Sequence, residues 1–294
     1  MTGVLWAASS GLGFGLFQAI NAKAVRQLGD AYFSTFVQLL TAALVLLVIC
    51  ALSGDLSLIG SLNAWATVSF VLAGALHFLL GWTMVNVSQQ RIGAARSAPL
   101  LATTPLWGIA IAALVRGELP GVEALFGIVV MVVGALTVSS PAAMAGMRWQ
   151  DSGFALGAAF LWALSPIFTI EGLEEVDSPL LGVAVGVVSS ALAFGVLLAL
   201  WPRGRRELRS AYRPGLALKM LCGAIVALAT WGRWVALDMV TVGVVLALNL
   251  LAVPTVLVLA PLVSGRGAKE RVTARVWIGA GLVIAGSLLL IAVQ

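Results

Sequence analysis

The chain has 294 residues, 61% apolar and 10% charged, with a net charge of +5 and one histidine. A soluble protein of this size carries roughly 25% charged residues to coat its surface, so the composition excludes an ordinary globular enzyme and defines an integral membrane protein. The basic residues are scattered between apolar runs without an aromatic-basic platform, which argues against a nucleic-acid partner.

A helical span needs about 20 apolar residues to cross a hydrocarbon core of about 30 Å. Apolar runs between polar breaks predict ten spans, at 3–21, 32–52, 64–86, 94–115, 122–140, 152–171, 179–201, 216–238, 242–263 and 273–293. The connections are too short for a folded domain outside the bilayer, and the shortest joins spans 8 and 9 near Thr241 and Gly243. The first run has no Lys or Arg ahead of it and no small-residue cleavage pattern, so it reads as a retained span rather than a signal peptide. Cys50 and Cys222 lie inside apolar runs and read as packing residues. With one histidine the chain offers no metal site, and no cofactor is expected. Gly11, Gly13 and Gly15 in span 1 lack the strand that precedes a phosphate loop. With Gly127, Gly134, Gly279, Gly281 and Gly286 they predict close helix approach instead.

Lys and Arg near span ends stay on the cytoplasmic side. The loops after spans 1, 3, 5, 7 and 9 hold Lys23, Arg26, Arg91, Arg96, Arg148, Arg203, Arg205, Arg206, Arg209, Arg213, Lys219, Arg266, Lys269, Arg271 and Arg275, fifteen of the seventeen basic residues. Arg116 lies on the opposite side and Arg233 within span 8. Both termini are therefore expected on the periplasmic side. The acids Asp55, Glu118, Glu123, Glu171, Glu174, Glu175, Asp177 and Asp238 fall on that outer side, and none occupies the middle of a span.

The two halves share a spacing. Glu118, Gly127 and Gly134 are separated by nine and seven residues, as are Glu270, Gly279 and Gly286. Gly93 opens span 4 and Gly243 opens span 9. Five spans per half is an odd number, so the second copy is inserted upside down. Inverted repeats of this kind form secondary transporters with the substrate site at the repeat interface. The predicted units are 1–143 and 144–294.

The segments from Ser88 to Ser140 (SQQRIGAARSAPLLATTPLWGIAIAALVRGELPGVEALFGIVVMVVGALTVSS) and from Val240 to Leu290 resemble the drug/metabolite transporter superfamily, EamA type. Within it the chain looks most like the bacterial YddG-type exporters of aromatic and other amino acids. The resemblance implies a bacterial inner-membrane protein and a ten-helix, all-α bundle. It also implies a central cavity lined by helices 1, 3, 4, 6, 8 and 9, with helices 5 and 10 at the periphery.

Polar groups inside spans are costly unless they face a cavity or a partner. His77, near the middle of span 3, shares a face with Phe70, Ala73, Gly81, Met84 and Ser88; it lines a cavity or is satisfied by a neighbouring backbone or hydroxyl. Arg233 snorkels outward, pairs with Asp238, or meets a substrate carboxylate. Trp6, Trp65, Trp149, Trp201, Trp234 and Trp277 sit near span ends and fit the aromatic belt, whereas Trp82, Trp107, Trp162 and Trp231 lie deeper. Trp162 shares a face with Ser165, Pro166 and Thr169, and Trp231 adjoins Thr230, a polar-aromatic mixture suited to an amphipathic ligand or to helix packing. Phe17 and Gln18 in span 1 and Asn249 in span 9 complete the candidate cavity set. Pro99, Pro105, Pro166 and Pro254 are candidate hinges for alternating access or plain packing kinks.

With no carboxylate at depth, an obligatory ion-driven cycle is not expected. The expected function is gradient-driven transport of an amino acid or similar small metabolite, for which one copy in the bilayer suffices and a dimer is compatible. Sugar-type or drug carriers of the same superfamily are the nearest alternatives. A channel or an intramembrane enzyme would need a selectivity ring or a nucleophile-base constellation, and neither is apparent.

Overall fold

The computed structural model describes residues 1–117, 121–138, 149–201, 214–264 and 274–293. The repeat anchors Glu118 and Glu270, the unit boundary at 143/144, and the loop bases Arg148, Arg203, Arg205, Arg206, Arg209, Arg213, Arg266, Lys269 and Arg271 lie outside the described residues.

The described residues are helical, with no strand. Helix α1 spans Thr2–Leu28 and α2 Ala31–Ser53. Two residues join them: Gly29 takes the left-handed conformation (φ 78°), which glycine adopts without steric cost, and Asp30 caps α2 by accepting from the amide of Phe33. A short 3₁₀ segment, Asp55–Ser61, leads to α3 (Ala64–Ile92). The fourth apolar run is broken into α4 (Ala94–Leu101) and α5 (Thr104–Arg116), and α6 (Val122–Val138) follows. The second half holds α7 (Trp149–Glu175), α8 (Pro179–Leu200) and α9 (Leu216–Met239). After it come α10 (Val242–Leu248), a 3₁₀ turn at Asn249–Leu251, α11 (Ala252–Ser264) and α12 (Ala274–Val293).

Every predicted span window contains helix. Among the described residues seven helical stretches are long and apolar enough to cross a membrane; shorter apolar helices at Thr104–Arg116, Val122–Thr137 and Trp277–Leu289 occupy the remaining windows. Only Val240 and Thr241 separate α9 from α10, with Val240 extended, as the short predicted break requires.

Small residues set the helix spacing. A Cβ on Gly11 would lie 2.4 Å from the Leu248 carbonyl oxygen, and one on Gly13 2.9 Å from Ala229 Cβ, so α1 seats against α10 and α9 with almost no side-chain layer. Helices α6 and α12 cross the same way: a Cβ on Gly134 would lie 2.7 Å from the Gly279 carbonyl oxygen and one on Gly286 2.7 Å from that of Gly127. Gly281, expected in the same set, has nothing within 4 Å of a built Cβ. Leu44, Val48, Leu114, Leu192, Val196 and Leu288 are exposed around the bundle, the surface that lipid covers.

The two ends of the bundle differ. At one end Arg116 pairs with Glu171 (3.2 Å) and Glu174 (2.6 Å), Asn63 donates to Glu175 (2.5 Å) and Ser178 to Asp55 (2.7 Å). A cleft of about 450 Å³ opens there, lined by Arg116, Ile170, Leu173, Glu174 and residues 237–241. At the opposite end Lys219 and the amides of Asn21, Gln38 and Asn86 are buried.

Candidate functional site

The site begins with two irregular helices. In α3, the stretch Ala75–Trp82 winds as a π-helix, a form that concentrates at functional positions, and it carries His77. In α7, Pro166 has no N–H to give the carbonyl four residues back, that of Trp162. The freed oxygen accepts from Arg233 Nη2 at 2.8 Å. Thus a proline in one helix creates the acceptor that seats an arginine from another.

His77, Trp162, Ser165 and Arg233 come together. His77 is 1% exposed and Arg233 3%. The imidazole stacks on the Trp162 ring, centroids 5.4 Å apart and planes 23° apart, and the indole Nε1 donates to the His77 carbonyl at 3.1 Å. His77 Nδ1 lies 3.2 Å from Ser165 Oγ and 3.5 Å from Arg233 Nη1. Because a guanidinium only donates, Nδ1 faces donors and the neutral ring carries its proton on Nε2. That nitrogen, Arg233 Nε and Trp82 Nε1 are buried without a hydrogen-bond partner. Trp82 packs edge-on to His77 at 6.4 Å, so the three open donors belong to one connected cluster. Among the described residues no carboxylate forms an ion pair with Arg233, so of its three alternatives the pair with Asp238 is not made; Asp238 instead lines the cleft. Ile170, one turn beyond Pro166, and Leu237, one turn beyond Arg233, also line that cleft, which places the cluster beneath its floor.

The other expected site residues are distributed elsewhere. Trp231 packs on Trp6 at 6.0 Å. Asn249 donates to the Ala7 carbonyl at 3.3 Å and ties α1 to the 3₁₀ break. Phe17 is buried with its ring 6.0 Å from Lys219 Nζ, and Gln18 is half-buried. Of the four prolines, Pro166 lies deep inside a long helix. Pro105 opens α5, where its missing N–H costs nothing, and Pro254 sits in the first turn of α11 after the 3₁₀ break. Pro99 falls on α4, with its side chain outside the described residues.

Two expectations are corrected. Trp234 is not a belt residue: at 2% exposure it packs on Phe70 (5.8 Å) and Phe78 (6.3 Å). Lys219 is not a loop base, because it lies inside α9 at 0% exposure. Its Nζ donates to Asn21 Oδ1 (2.5 Å), Gln38 Oε1 (2.6 Å) and Asn86 Oδ1 (3.1 Å). The amides are further linked, Asn21 Nδ2 donating to Gln89 Oε1 at 2.8 Å and Asn86 Nδ2 to Thr35 Oγ1 at 2.9 Å. Four uncharged polar residues at the same ends of spans 1, 2 and 3, namely Asn21, Gln38, Asn86 and Gln89, were the available signal for this network. Without Lys219 the loop asymmetry still stands at fourteen bases.

Pro166→Ala tests how the arginine is seated. Alanine supplies the missing N–H, which competes for the Trp162 carbonyl and leaves Arg233 Nη2 a weaker acceptor. Transport is expected to fall severalfold, while thermal stability is kept or raised, since a proline inside a helix costs roughly 3 kcal/mol. Unchanged transport would detach the proline from the site.

Residues 1–140 match the EamA-like transporter family. One solved crystal structure superposes on 98% of this chain and 96% of its own, with a TM-score of 0.71 at 15% sequence identity, a likeness of fold. No curated protein matches the sequence. Fold and site define a polytopic helical membrane protein.

Proposed function

We propose that the chain is an EamA-type secondary transporter. It moves amino acids, aromatic and other neutral ones, or similar small metabolites across the bacterial inner membrane by alternating access, in the export direction. The single observation that carries the substrate class is the buried guanidinium of Arg233, which has no carboxylate partner among the described residues and shares its cluster with open donors on His77 and Trp82. A buried cation left uncompensated costs several kcal/mol, and a substrate carboxylate is the natural complement. The rings of Trp162, Trp82 and Phe78 supply an apolar wall for the rest of an amphipathic ligand.

The crossing of α6 and α12 supports two inverted units, 1–143 and 144–294. First-position Gly127 meets second-position Gly286, and Gly134 meets Gly279, the exchange that an antiparallel pseudo-twofold produces. Among the described residues, the cleft at one end and the buried amides at the other fit a state open toward the cleft. With both termini periplasmic, the cleft faces outward and Lys219 lies at the cytoplasmic end. A reporter that is active only in the periplasm, fused after Gln294, is expected to be active; activity of a cytoplasm-only reporter there would reverse the orientation.

Purified protein in sealed liposomes is expected to take up labelled phenylalanine saturably with no pH gradient imposed, and a panel of amino acids to compete. Strict dependence on a gradient would overturn the energetics, and linear, non-saturating flux would overturn the carrier reading. His77→Ala and Trp162→Ala are each expected to lower transport about tenfold, equivalent to about 1.4 kcal/mol, with membrane insertion retained. Unchanged transport in both would remove the site.

A further inference from the structure

The ammonium of Lys219 is fully buried, and its three hydrogens meet three neutral oxygens, those of Asn21, Gln38 and Asn86. The cradle comes from α1, α2 and α3, whereas the cation comes from α9 in the second half of the chain. No carboxylate pairs with it among the described residues. Amide dipoles hold a cation but leave its charge uncancelled, and ionisable groups within spans mark substrate or ion pathways. A second observation points to a ligand. Gln38 Nε2 and Ser34 Oγ, one turn apart on α2, are buried without a partner. This end of the bundle thus holds a cation with two further polar groups in want of an acceptor.

Lys219 and Arg233 also share a face of α9. Fourteen residues advance the helix by nearly four full turns, so the two cations lie within about 40° of one another and roughly 21 Å apart along the axis.

We propose that Lys219 and its amide cradle form a second carboxylate-recognition station at the end of the bundle opposite the cleft, engaged by the substrate carboxylate when that end opens. Opening pulls α9 away from at least some of the amides, and a carboxylate then supplies both acceptor oxygens and the missing charge. Closure returns Lys219 to Asn21, Gln38 and Asn86 and releases the carboxylate toward Arg233. This station rests on the reading of the protein as a carrier of carboxylate-bearing metabolites.

The test is sided transport. Initial rates of labelled phenylalanine uptake are measured in inside-out and right-side-out vesicles containing wild type, Lys219→Met, Lys219→Arg and Asn86→Asp. Lys219→Met is expected to raise KM at the cytoplasmic face roughly tenfold and leave KM at the outer face unchanged, with most of the loss recovered by Lys219→Arg. Asn86→Asp keeps the acceptor atoms of the cradle and installs a resident carboxylate on Lys219, so it is expected to raise the same KM. It decides the matter where Lys219→Met fails to reach the membrane. Phenethylamine, which lacks the carboxylate, competes poorly at the cytoplasmic face of wild type and with a smaller disadvantage against phenylalanine in Lys219→Met. Unchanged KM, or equal change at both faces, overturns the station while leaving the transporter reading in place. A wild type that moves no amino acid overturns that reading and the station together.

Discussion

Replacing Arg233 by Gln is expected to lower kcat/KM for an amino-acid substrate by about 100-fold or more, which corresponds to about 3 kcal/mol. The effect follows from burial. At 3% exposure the guanidinium has given up its water, and one Nη is committed to the Trp162 carbonyl while Nε has no partner. A ligand carboxylate therefore meets a desolvated cation whose helix-to-helix bond already fixes its position, and charge-assisted bonds of this kind are about twice as strong as neutral ones. Glutamine keeps a donor for the carbonyl but removes the charge, so folding is preserved better than binding. Arg233→Lys is expected to recover only part of the loss, because a point charge cannot hold Trp162 and a carboxylate in one planar fork. Transport in liposomes for the three proteins, with thermal unfolding as a control for folding, decides the matter. Wild-type rates in Arg233→Gln would take the cation out of the site.

Gly74→Ala is expected to be the most destabilising single-methyl change in the bundle. A Cβ there would stand 2.3 Å from the Gly186 carbonyl oxygen and 2.5 Å from its Cα. Backbone atoms of a packed helix cannot step aside as the tip of a side chain does, so α3 and α8 must separate. Alanine gains up to about 1 kcal/mol in helix propensity, but overpacking of this severity costs about 3 kcal/mol or more, and the clash wins. The reciprocal change gives the control. A Cβ on Gly186 meets the Phe70 carbonyl oxygen, the Phe78 ring and Gly74 Cα at 3.0–3.2 Å, so the neighbours need give only a few tenths of an ångström and Gly186→Ala is expected to cost far less than Gly74→Ala. Unfolding temperatures in detergent should fall by several degrees for the first variant and far less for the second. Equal shifts would mean that this crossing is looser than the glycines imply.

The spans were legible because a bilayer imposes one length and one polarity on every segment that crosses it. Their faces were not legible. These helices are apolar nearly all round, so no polar stripe shows which side turns inward. Trp234, four residues from the end of its predicted window, has the depth of a belt residue and the orientation of a core one. Lys219 has the position of a rim base that would snorkel to water, yet α9 aims it along the same buried face as Arg233. Only the amides waiting on α1, α2 and α3 distinguish the two outcomes, and they are far apart in sequence. The irregular winding of α3 around His77 likewise leaves no mark in composition, whereas the proline that frees the Trp162 carbonyl was visible as a proline but not as the maker of an arginine site.

Lys219 also changes the substrate argument. With Arg233 as the sole cation in the bundle, a neutral metabolite and a zwitterion suited the chain equally. Two buried cations on one face of α9 favour a ligand that carries negative charge.

The most direct measurement compares two ligands that differ by one group. Liposomes containing the purified protein and loaded with unlabelled phenylalanine are given labelled phenylalanine or labelled phenethylamine, and counterflow is followed. The account predicts exchange of the amino acid and little of the amine, with the difference much reduced in Arg233→Gln. Equal exchange of both by the wild type would contradict carboxylate recognition by the buried cluster.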